Sequence, residues 1–300
     1  MLRIAYSPIY KYQLPQGHRF PMIKYELVPE QLLYEGTITD SHFFHPDPLD
    51  EETLLLTHSP EYWHRLKHQE WTRKEERAVG FPMSPQLIRR GLHIANGTLE
   101  CARFAQKYGV ALNVAGGTHH AYRSHGEGFC VFNDIAIAAN ALLQEGGVRQ
   151  ILVIDLDVHQ GNGTAHLFRN EPRVFTFSMH GAKNYPARKE VSDLDIGLPD
   201  HTGDAPYLRI LREVLPRLFD RVQPDLVFFL SGVDVLATDK LGRLSLSIQG
   251  CRERDRLVLS TCRRHQVPVA VSMGGGYSER IAHIIDGHAN TFRVAQELFF

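Results

Sequence analysis

The most informative stretch of this sequence is Ile151-Leu-Val-Ile-Asp-Leu-Asp-Val-His-Gln-Gly-Asn-Gly-Thr164. Five of its first six residues are apolar, which predicts a fully buried strand of the kind found in parallel sheets. Asp155, Asp157 and His159 occupy alternate positions, so an extended backbone directs their side chains to the same side. Burying two carboxylates and an imidazole together is costly unless a cation neutralises them, and these ligands suit zinc or a neighbouring first-row metal. The alternative is a strand that ends in a solvated acidic turn.

Predicted strands and helices alternate along the rest of the chain, which indicates an α/β fold with a mostly parallel central sheet flanked by helices. Besides the strand that begins at Ile151, strands are predicted at 2–6, 110–115, 174–179, 225–232 and 267–273. Helices are predicted near 30–35, starting near 50 and 59, and at 85–108, 133–143, 205–219, 251–264 and 278–299. Segments 7–48 and 183–203 are otherwise expected to be loops. No repeat or linker divides the sequence, so we expect a single three-layer domain over residues 1–300.

The composition is that of an ordinary globular protein, with 43% hydrophobic and 22% charged residues. A formal net charge of −1 gives no indication of a nucleic-acid partner or of binding to an acidic membrane. No stretch approaches the roughly 18 apolar residues of a membrane span, and the apolar run at the N-terminus is too short for a signal peptide. The four widely spaced cysteines are expected to be reduced thiols, which indicates a cytoplasmic protein.

Four predicted strands end in polar or glycine-rich segments. These segments are Gly116-Gly-Thr-His-His120, Asp155-Leu-Asp-Val-His159, Ser231-Gly-Val-Asp234 and Gly274-Gly-Gly-Tyr277. Each has a simpler interpretation, since the tandem histidines could form a turn, Asp234 could cap a helix, and the last segment could be a plain loop. The carboxyl ends of parallel strands share one edge of a sheet, where ligands bind. All four segments follow apolar strands, so we expect them to meet in one pocket.

Asp157, His159 and Asp234 provide three candidate metal ligands. Three protein ligands leave one coordination position open, which is typical of a catalytic rather than a structural zinc. Such a metal lowers the pKa of water and polarises a carbonyl group.

The tandem histidines and the tyrosine add the remaining groups that amide hydrolysis needs. His119 and His120 are candidates for general base and acid. Asp155 and Asn162 lie in the right segment to fix the tautomers of these imidazoles. Tyr277 could donate a hydrogen bond to a developing oxyanion. The sequence therefore predicts metal-assisted hydrolysis of an amide.

Taken together, the motifs resemble those of the zinc-dependent histone deacetylase family. The matching segments are Gly116-Gly-Thr-His-His-Ala121, Gly128-Phe-Cys-Val-Phe-Asn-Asp134, Asp155-Leu-Asp-Val-His-Gln-Gly-Asn-Gly-Thr164, Ser231-Gly-Val-Asp234 and Gly274-Gly-Gly-Tyr277. The resemblance extends from Tyr6 to the C-terminus. The compact length, Asn184-Tyr-Pro and Ser192-Asp-Leu-Asp-Ile are most similar to class IV deacetylases and their bacterial relatives.

This resemblance implies an arginase-like α/β fold with a central parallel sheet, and it implies roles for individual residues. The implied zinc ligands are Asp157, His159 and Asp234, with Fe²⁺ as another possible occupant. The implied catalytic residues are His119, His120, Tyr277, Asp155 and Asn162. A structural potassium beside the zinc would be held by Asp155, Ser178, Met179 and the main chain of Asp157 and His159. The implied substrate-binding residues are Phe129, Tyr185, Gly128 and Gly275, with the two aromatic rings as opposite walls of a tunnel for the acyl-lysine chain.

One position departs from part of the family. Some members have Asp where this chain has Asn162, and a neutral amide stabilises an imidazolium less than a carboxylate does. We therefore expect His120 to be a weaker base than in the Asp type. The sequence does not place the rim carboxylate that grips the substrate backbone in other classes.

Two other functions are open alternatives. A two-metal ureohydrolase of the same fold would need further carboxylates, but the corresponding positions hold Gly161 and either Gly232 or Leu236. A non-enzymatic acyl-lysine-binding scaffold would be expected to have lost Tyr277 or a metal ligand. Within the enzyme interpretation, the substrate could be acetyl-lysine or a longer acyl-lysine in a protein or peptide, or a small acylated amine such as an acetylpolyamine. The near-neutral net charge gives no special attraction to basic histone tails or polycationic amines, and the oligomeric state is not indicated.

Overall fold

Eight strands form one sheet in the computed structural model, which describes residues 1–300. They are β1 (Arg3–Ala5), β2 (Phe43–Phe44), β3 (Val110–Asn113), β4 (Ile151–Asp155), β5 (Val174–Gly181), β6 (Leu194–Leu198), β7 (Leu226–Leu230) and β8 (Val269–Ser272). Their order is β2-β1-β3-β8-β7-β4-β5-β6, and every neighbouring pair is parallel. The predicted α/β class with a parallel sheet is therefore confirmed.

Ten α-helices surround the sheet. They are α1 (Lys24–Tyr34), α2 (Glu51–Leu55), α3 (Pro60–Lys67), α4 (Arg73–Val79), α5 (Pro85–Tyr108), α6 (Asp134–Glu145), α7 (Asn162–Phe168), α8 (Asp204–Val222), α9 (Ile248–His265) and α10 (Ile281–Phe299). None of these helices is both long enough and apolar enough to cross a membrane.

Both faces of the sheet are buried, as the side-chain alternation along β4 shows. Leu152 and Ile154 belong to the core that α1, α8, α9 and α10 cover, whereas Ile151 and Val153 belong to the core under α2 to α7. A parallel sheet packed with helices on both faces requires apolar residues at successive positions, which is the pattern of Ile151-Leu-Val-Ile. The molecule thus has the three-layer arrangement that the sequence predicts.

The four strands with unusual carboxyl ends are neighbours at the centre of the sheet. They are β3, β8, β7 and β4, in that spatial order. Segments that lie far apart in sequence therefore leave the sheet side by side. This order brings the tandem histidines, the glycine-rich turn and both acidic segments to one place.

The predicted helix near 30–35 is too short, because the structure has an 11-residue helix, α1, that begins at Lys24. Pro29 lies inside it and interrupts the helical pattern in the sequence, since proline removes one backbone hydrogen bond. The helix continues through Pro29 because Val28 and Leu32 are fully buried in the core beneath it. Burial thus outweighs the local penalty.

The segment 183–203 was predicted to be a loop, which is wrong for residues 194–198. β6 occupies Leu194–Leu198 at the edge of the sheet, and its residues alternate between half-buried and exposed until Leu198. An edge strand with one solvated face carries polar residues and resembles a loop in composition. The loop prediction for 7–48 is likewise wrong at Phe43–Phe44, which form the edge strand β2. The short helices α4 and α7 were also not predicted.

The ion pair of Glu35 and Arg293 joins the end of α1 to α10 in a bidentate arrangement, with N–O distances of 2.8 and 2.6 Å. Hydrogen bonds from Arg293 lower the pKa of Glu35 to about 2. The pKa of Glu35 is thus lower in the folded protein than in the unfolded chain, where it is about 4.3. The ion pair therefore stabilises the fold fully at pH values above about 4.3, and this stabilisation is lost as the pH falls toward 2. We expect Glu35→Gln to destabilise the protein by about 1 kcal/mol near neutral pH and by less at about pH 3.

Urea unfolding of wild type and variant at both pH values measures this difference. Glu30→Gln is the matched control, because Glu30 is exposed on the same helix and has no basic partner within 4.0 Å. A destabilisation of the same size at both pH values would contradict the assignment.

Candidate active site

Three candidate metal ligands meet at the carboxyl edge of the sheet. Nδ1 of His159 lies 2.9 Å from Oδ1 of Asp157 and 3.2 Å from Oδ2 of Asp234. All three side chains are buried, and Oδ2 of Asp234 has no hydrogen-bond partner. A tetrahedral metal with bonds of about 2.0–2.2 Å holds its ligands roughly 3.3–3.6 Å apart. The His159 nitrogen lies slightly closer to both carboxylates than that, because it is hydrogen-bonded to Asp157, a contact that a bound metal would replace. The donor types, their clustering within 4.8 Å of one another and the unpartnered oxygen fit a single divalent metal.

Main-chain groups orient both carboxylates toward the common point. The N–H of Gly275 donates to Oδ2 of Asp157 at 2.9 Å, and the N–H of Val158 donates to Oδ1 of Asp234 at 2.9 Å. Burial and the neighbouring Asp157 carboxylate raise the pKa of Asp234 above its ordinary value. Two carboxylates packed this closely repel each other, and a bound cation would relieve the repulsion.

Arg254, on α9, connects the loop that carries Asp157 and His159 to the loop that carries Asp234. Its guanidinium donates to the carbonyl of Leu156, at 3.2 Å, and to the carbonyls of Gly232 and Ser231, at 2.5 and 3.2 Å. It is fully buried and forms an ion pair with Asp255 at 2.7 Å. Sequence reasoning missed this residue.

A signal for the Arg254–Asp255 pair was nevertheless available. The pair occupies the same face of α9 as the buried Cys251, Val258 and Cys262, at helical spacing. A charged pair on an apolar helix face indicates a buried polar role.

The tandem histidines have different partners and different charges. Nδ1 of His119 lies 2.7 Å from Oδ2 of Asp155. Burial lowers the pKa of His119, but the carboxylates of Asp155 and Asp157 outweigh burial and raise it to about 9. Burial lowers the pKa of His120 well below its ordinary value, and the nearby His119 and His159 lower it further. His119 therefore favours the charged form and His120 the neutral form.

Asn162 determines which nitrogen of His120 carries the proton. The Asn162 amide group donates to Oε1 of Glu127 at 2.6 Å and to the hydroxyl of Tyr122 at 3.0 Å. Its Oδ1 must then accept from Nδ1 of His120, 2.6 Å away. This tautomer leaves the lone pair of His120 on Nε2, the nitrogen that a general base needs. Glu127, two residues before Phe129, was not recognised in the sequence.

Tyr277 is held by contacts at both ends of its glycine-rich turn. Its N–H donates to Oδ2 of Asp239 at 2.6 Å, and Nζ of the buried Lys24 donates to the carbonyl of Gly274 at 2.9 Å. Burial raises the pKa of Tyr277 well above its ordinary value, and Asp234 and Asp157 raise it further. The hydroxyl therefore keeps its proton and can donate a hydrogen bond. Asp239 and Lys24 carry no local signal of this role in the sequence.

Two cavities meet at this cluster. The outer cavity has a volume of about 530 Å³, and the inner cavity has a volume of about 40 Å³. Both are lined by His120, His159, Phe129 and Tyr277, whereas Tyr185 lines only the outer cavity. The polar cluster thus lies where a wide mouth narrows to a small interior.

Residues 18–292 match the sequence model of the histone deacetylase domain. The chain belongs to the histone deacetylase family. An uncharacterized protein of Picosynechococcus sp. is 43% identical over 296 residues, which are 99% of each chain. Histone deacetylase 2 of Arabidopsis thaliana is 29% identical over 278 residues, covering 89% of this chain and 72% of the relative. An HDAC homolog from Aquifex aeolicus has the same fold, with a TM-score of 0.84 and 22% identity over 98% of this chain and 84% of that one.

This member of the histone deacetylase family has a single cluster of potential metal-binding side chains with the spacing of a metal site. It consists of Asp157, His159 and Asp234. A side chain at Gly232 would clash with the Asp157 carboxylate, so no further ligand fits there. The arrangement favours one metal over the two of a ureohydrolase.

The residues expected to hold potassium are also close together in the deacetylase fold. Asp155, the last residue of β4, is paired in register with Ser178 on β5, and Met179 follows it. Oδ1 of Asp155 accepts from the N–H of Asp157 at 3.2 Å. Carboxylate, hydroxyl and carbonyl oxygens are donors that suit a hard cation.

Gly128 and Gly275 are required for close packing around the deacetylase cluster. Gly128 has a φ of +56°, and a side chain there would lie 2.5 Å from the ring of His120. Phe129 also has a positive φ, of 69°, and its N–H donates to the carbonyl of Val79 at 2.7 Å. Holding a bulky residue in the left-handed region is strained, so its position is fixed by its surroundings.

Gly275→Ala should weaken metal binding. A Cβ atom at this position would clash with Oδ2 of Asp234 and lie 2.8 Å from Oδ2 of Asp157. We expect the metal affinity to fall by about tenfold to a hundredfold, the range seen when groups that orient metal ligands are changed. Competition with a chromogenic chelator measures the affinity, and Gly147→Ala is the control because nothing lies within 4 Å of a Cβ at Gly147. An unchanged affinity would contradict the packing argument.

Proposed function

We propose that this chain is a metal-dependent deacylase that hydrolyses the side-chain amide of N-acyl-lysine. The observation that supports this most strongly is the convergence of three metal ligands, the imidazole of His120 and the hydroxyl-bearing ring of Tyr277 at the junction of two cavities. Family membership supports deacetylation as the class of reaction. Asp157, His159 and Asp234 would hold Zn²⁺ or Fe²⁺, which when bound polarises a carbonyl and lowers the pKa of water.

In this proposal His120 is the general base. Its Nε2 accepts a proton from the attacking water, because Nδ1 is engaged with Asn162. The same proton then passes to the amide nitrogen, and cleavage of the C–N bond releases the carboxylic acid and the neutral lysine amine. Transfer of the acid's proton to the amine gives the carboxylate and the lysine ammonium. Asn162 is neutral, but Glu127 accepts from its amide and places a carboxylate one hydrogen bond further away. This second contact offsets part of the weakening expected from Asn in place of Asp.

His119 and Tyr277 stabilise the negative charge that develops on the carbonyl oxygen. Asp155 favours the protonated form of His119, which acts through its charge. The Tyr277 hydroxyl donates a hydrogen bond to the oxygen as its charge increases. His119 is oriented by its buried contact with Asp155, and the main chain of Tyr277 is held by Asp239, so little reorganisation is needed during the reaction.

The size of the inner cavity favours a short acyl group. The inner cavity has a volume of about 40 Å³, less than a tenth of the outer cavity's 530 Å³, so a short acyl group fits it better than a chain of eight or more carbons. We infer that acetyl-lysine is a better substrate than octanoyl-lysine or myristoyl-lysine.

We further propose that residues 1–300 form one catalytic domain with a structural K⁺ held by Asp155, Ser178, Met179 and the main chain of Asp157 and His159. The single sheet and its two cores support the domain assignment. Similarity to class IV deacetylases and a cytoplasmic location stay predictions from the sequence.

Hydrolysis of a substrate panel by zinc-loaded protein tests the proposed function. The panel contains acetyl-, octanoyl- and myristoyl-lysine peptides and acetylated polyamines, and Asp234→Asn is the inactive control. We expect turnover of the acetyl-lysine peptide and none with the control. If the protein binds acetyl-lysine peptides and zinc but hydrolyses nothing, the acyl-lysine-binding scaffold becomes the better account.

A further inference from the structure

We propose that the preferred substrate is an acidic peptide, in which aspartate or glutamate residues flank the acylated lysine. This inference rests on the proposed deacylase function and specifies its substrate class. It comes from the charges around the outer cavity, which the mechanism does not use.

Four cationic side chains line the outer cavity, and all four are exposed. They are Arg19, Arg77, Lys183 and Arg243. The only carboxylate among the lining residues is that of Glu127. A mouth with one sign of charge attracts ligands of the opposite sign and raises their association rate.

Most of this positive charge is not neutralised by the protein. Arg243 and Lys183 share a single carboxylate, Asp200, at 3.2 and 3.8 Å. Arg19 and Arg77 have no carboxylate within 4.0 Å. Two guanidinium groups are thus free to bind carboxylates of a substrate, and each can do so with two parallel hydrogen bonds.

Glu127 can offset only one of the four cations, and its carboxylate is engaged within the site. Its Oε1 accepts from Asn162 at 2.6 Å and from the hydroxyl of Tyr185 at 2.7 Å. Its side chain is only 21% exposed. The carboxylate therefore serves the active site rather than the cavity surface.

The two free arginines lie beside the channel that an acyl-lysine would enter. The Arg19 guanidinium is 5.0 Å from the centre of the Phe129 ring, which lines both cavities. Arg77 precedes Ala78 on α4, and the Ala78 carbonyl accepts from the N–H of Gly128 at 2.9 Å. Both cations are therefore next to the wall at Gly128–Phe129, within reach of residues that flank a bound lysine.

The same charges disfavour two other substrate classes. Acetylpolyamines keep positively charged amines near the acetyl group, and basic histone tails carry lysine and arginine next to the modified residue. Placing like charges together in a binding site is unfavourable and slows association. The net charge of −1 for the whole chain hides this local excess, so the sequence total gives no indication of it.

Three acetyl-lysine peptides that differ only in their flanking residues test the inference. The flanking residues are glutamate, glutamine or lysine, and kcat/KM is measured with zinc-loaded, full-length protein. We expect the glutamate peptide to exceed the lysine peptide by about tenfold or more at low salt, and the ratio to shrink at high salt. An acetylpolyamine should be poorer than the glutamate peptide.

Two variants connect the preference to the arginines. Arg77→Gln, alone and combined with Arg19→Gln, should reduce the glutamate-to-lysine ratio stepwise toward one. Arg149→Gln is the control, because Arg149 is 89% exposed and precedes β4 at the opposite edge of the sheet. The glutamate-to-lysine ratio of kcat/KM for Arg149→Gln should equal that of wild type.

Two results would overturn the inference in distinguishable ways. If all three peptides react equally, or the lysine peptide or the polyamine reacts faster, the substrate class is wrong and the deacylase function stands. If no peptide and no polyamine is hydrolysed, the proposed function fails and the inference fails with it.

Discussion

Replacing Tyr277 with phenylalanine should lower kcat for an acetyl-lysine peptide by about a hundredfold to a thousandfold, the usual effect of removing one oxyanion donor. Burial of the ring and the carboxylates of Asp234 and Asp157 raise the pKa of Tyr277 well above its ordinary value, so the hydroxyl keeps its proton and can donate it in a hydrogen bond. The ring contacts with Phe20 and Phe129, at centroid distances of 5.8 and 6.0 Å, do not involve the hydroxyl. We therefore expect stability and metal content to stay unchanged.

Steady-state kinetics with metal analysis on the same samples measures this effect. Tyr34→Phe is the control, because Tyr34 is 90% exposed and lies away from both cavities. KM should change little in Tyr277→Phe, since the hydrogen bond strengthens only as negative charge develops. A loss smaller than about tenfold would mean that another group stabilises the oxyanion.

Arg254→Met should destabilise the protein by about 3–5 kcal/mol, the usual result of removing one partner of a buried ion pair. The substitution leaves the Asp255 carboxylate buried without its cation, and it leaves three backbone carbonyls without their donor. Those carbonyls belong to the loops that carry the metal ligands. We therefore expect metal affinity to fall together with stability.

The double variant Arg254→Met, Asp255→Leu separates these two effects. Removing both charges restores part of the stability, because a buried pair can be replaced by apolar side chains of similar size. The loops still lack their common donor, so the metal affinity should stay low. Urea unfolding and chelator competition measure the two quantities. A single variant as stable as wild type, or a double variant with full metal affinity, would contradict the positioning role of Arg254.

Much of the fold could be predicted because the local sequence patterns of helices and strands agree with the structure. The helix predicted at 85–108 has those bounds in the structure, where Ser84 accepts from the N–H of Leu87 and Gly109 ends the helix. The four chemically unusual strand ends were predicted to share one edge, since parallel strands must align their carboxyl ends. Their adjacency at the centre of the sheet, in the order β3, β8, β7 and β4, depends on crossovers that no local pattern reveals.

The residues that sequence reasoning missed act through long-range contacts. Lys24 contacts Gly274 across 250 positions, and Glu127 contacts Asn162 across 35. Asp239 likewise accepts from the N–H of Tyr277, and Arg254 donates to the carbonyl of Gly232. Both contacts join segments that are distant in sequence and adjacent only in the folded protein. Metal ligands and tandem histidines stand out by residue type and spacing, whereas a residue that orients them looks like any other charged residue.

The positive charge of the outer cavity could also not be predicted from the sequence. The chain is nearly neutral in total, but folding gathers Arg19, Arg77, Lys183 and Arg243 around one cavity. These residues come from segments spread over more than 200 positions of the chain. Only their three-dimensional arrangement gives the mouth its charge.

The central claim is that activity requires one metal ion per chain. Removing the metal and then restoring it by titration tests this claim most directly. Protein stripped with a chelator is titrated with Zn²⁺ and, anaerobically, with Fe²⁺, while turnover of the acetyl-lysine peptide and bound metal are recorded. We predict no activity in the stripped protein and full recovery at one metal per chain. Activity that survives complete removal of the metal, or that requires two metals per chain, would contradict the account.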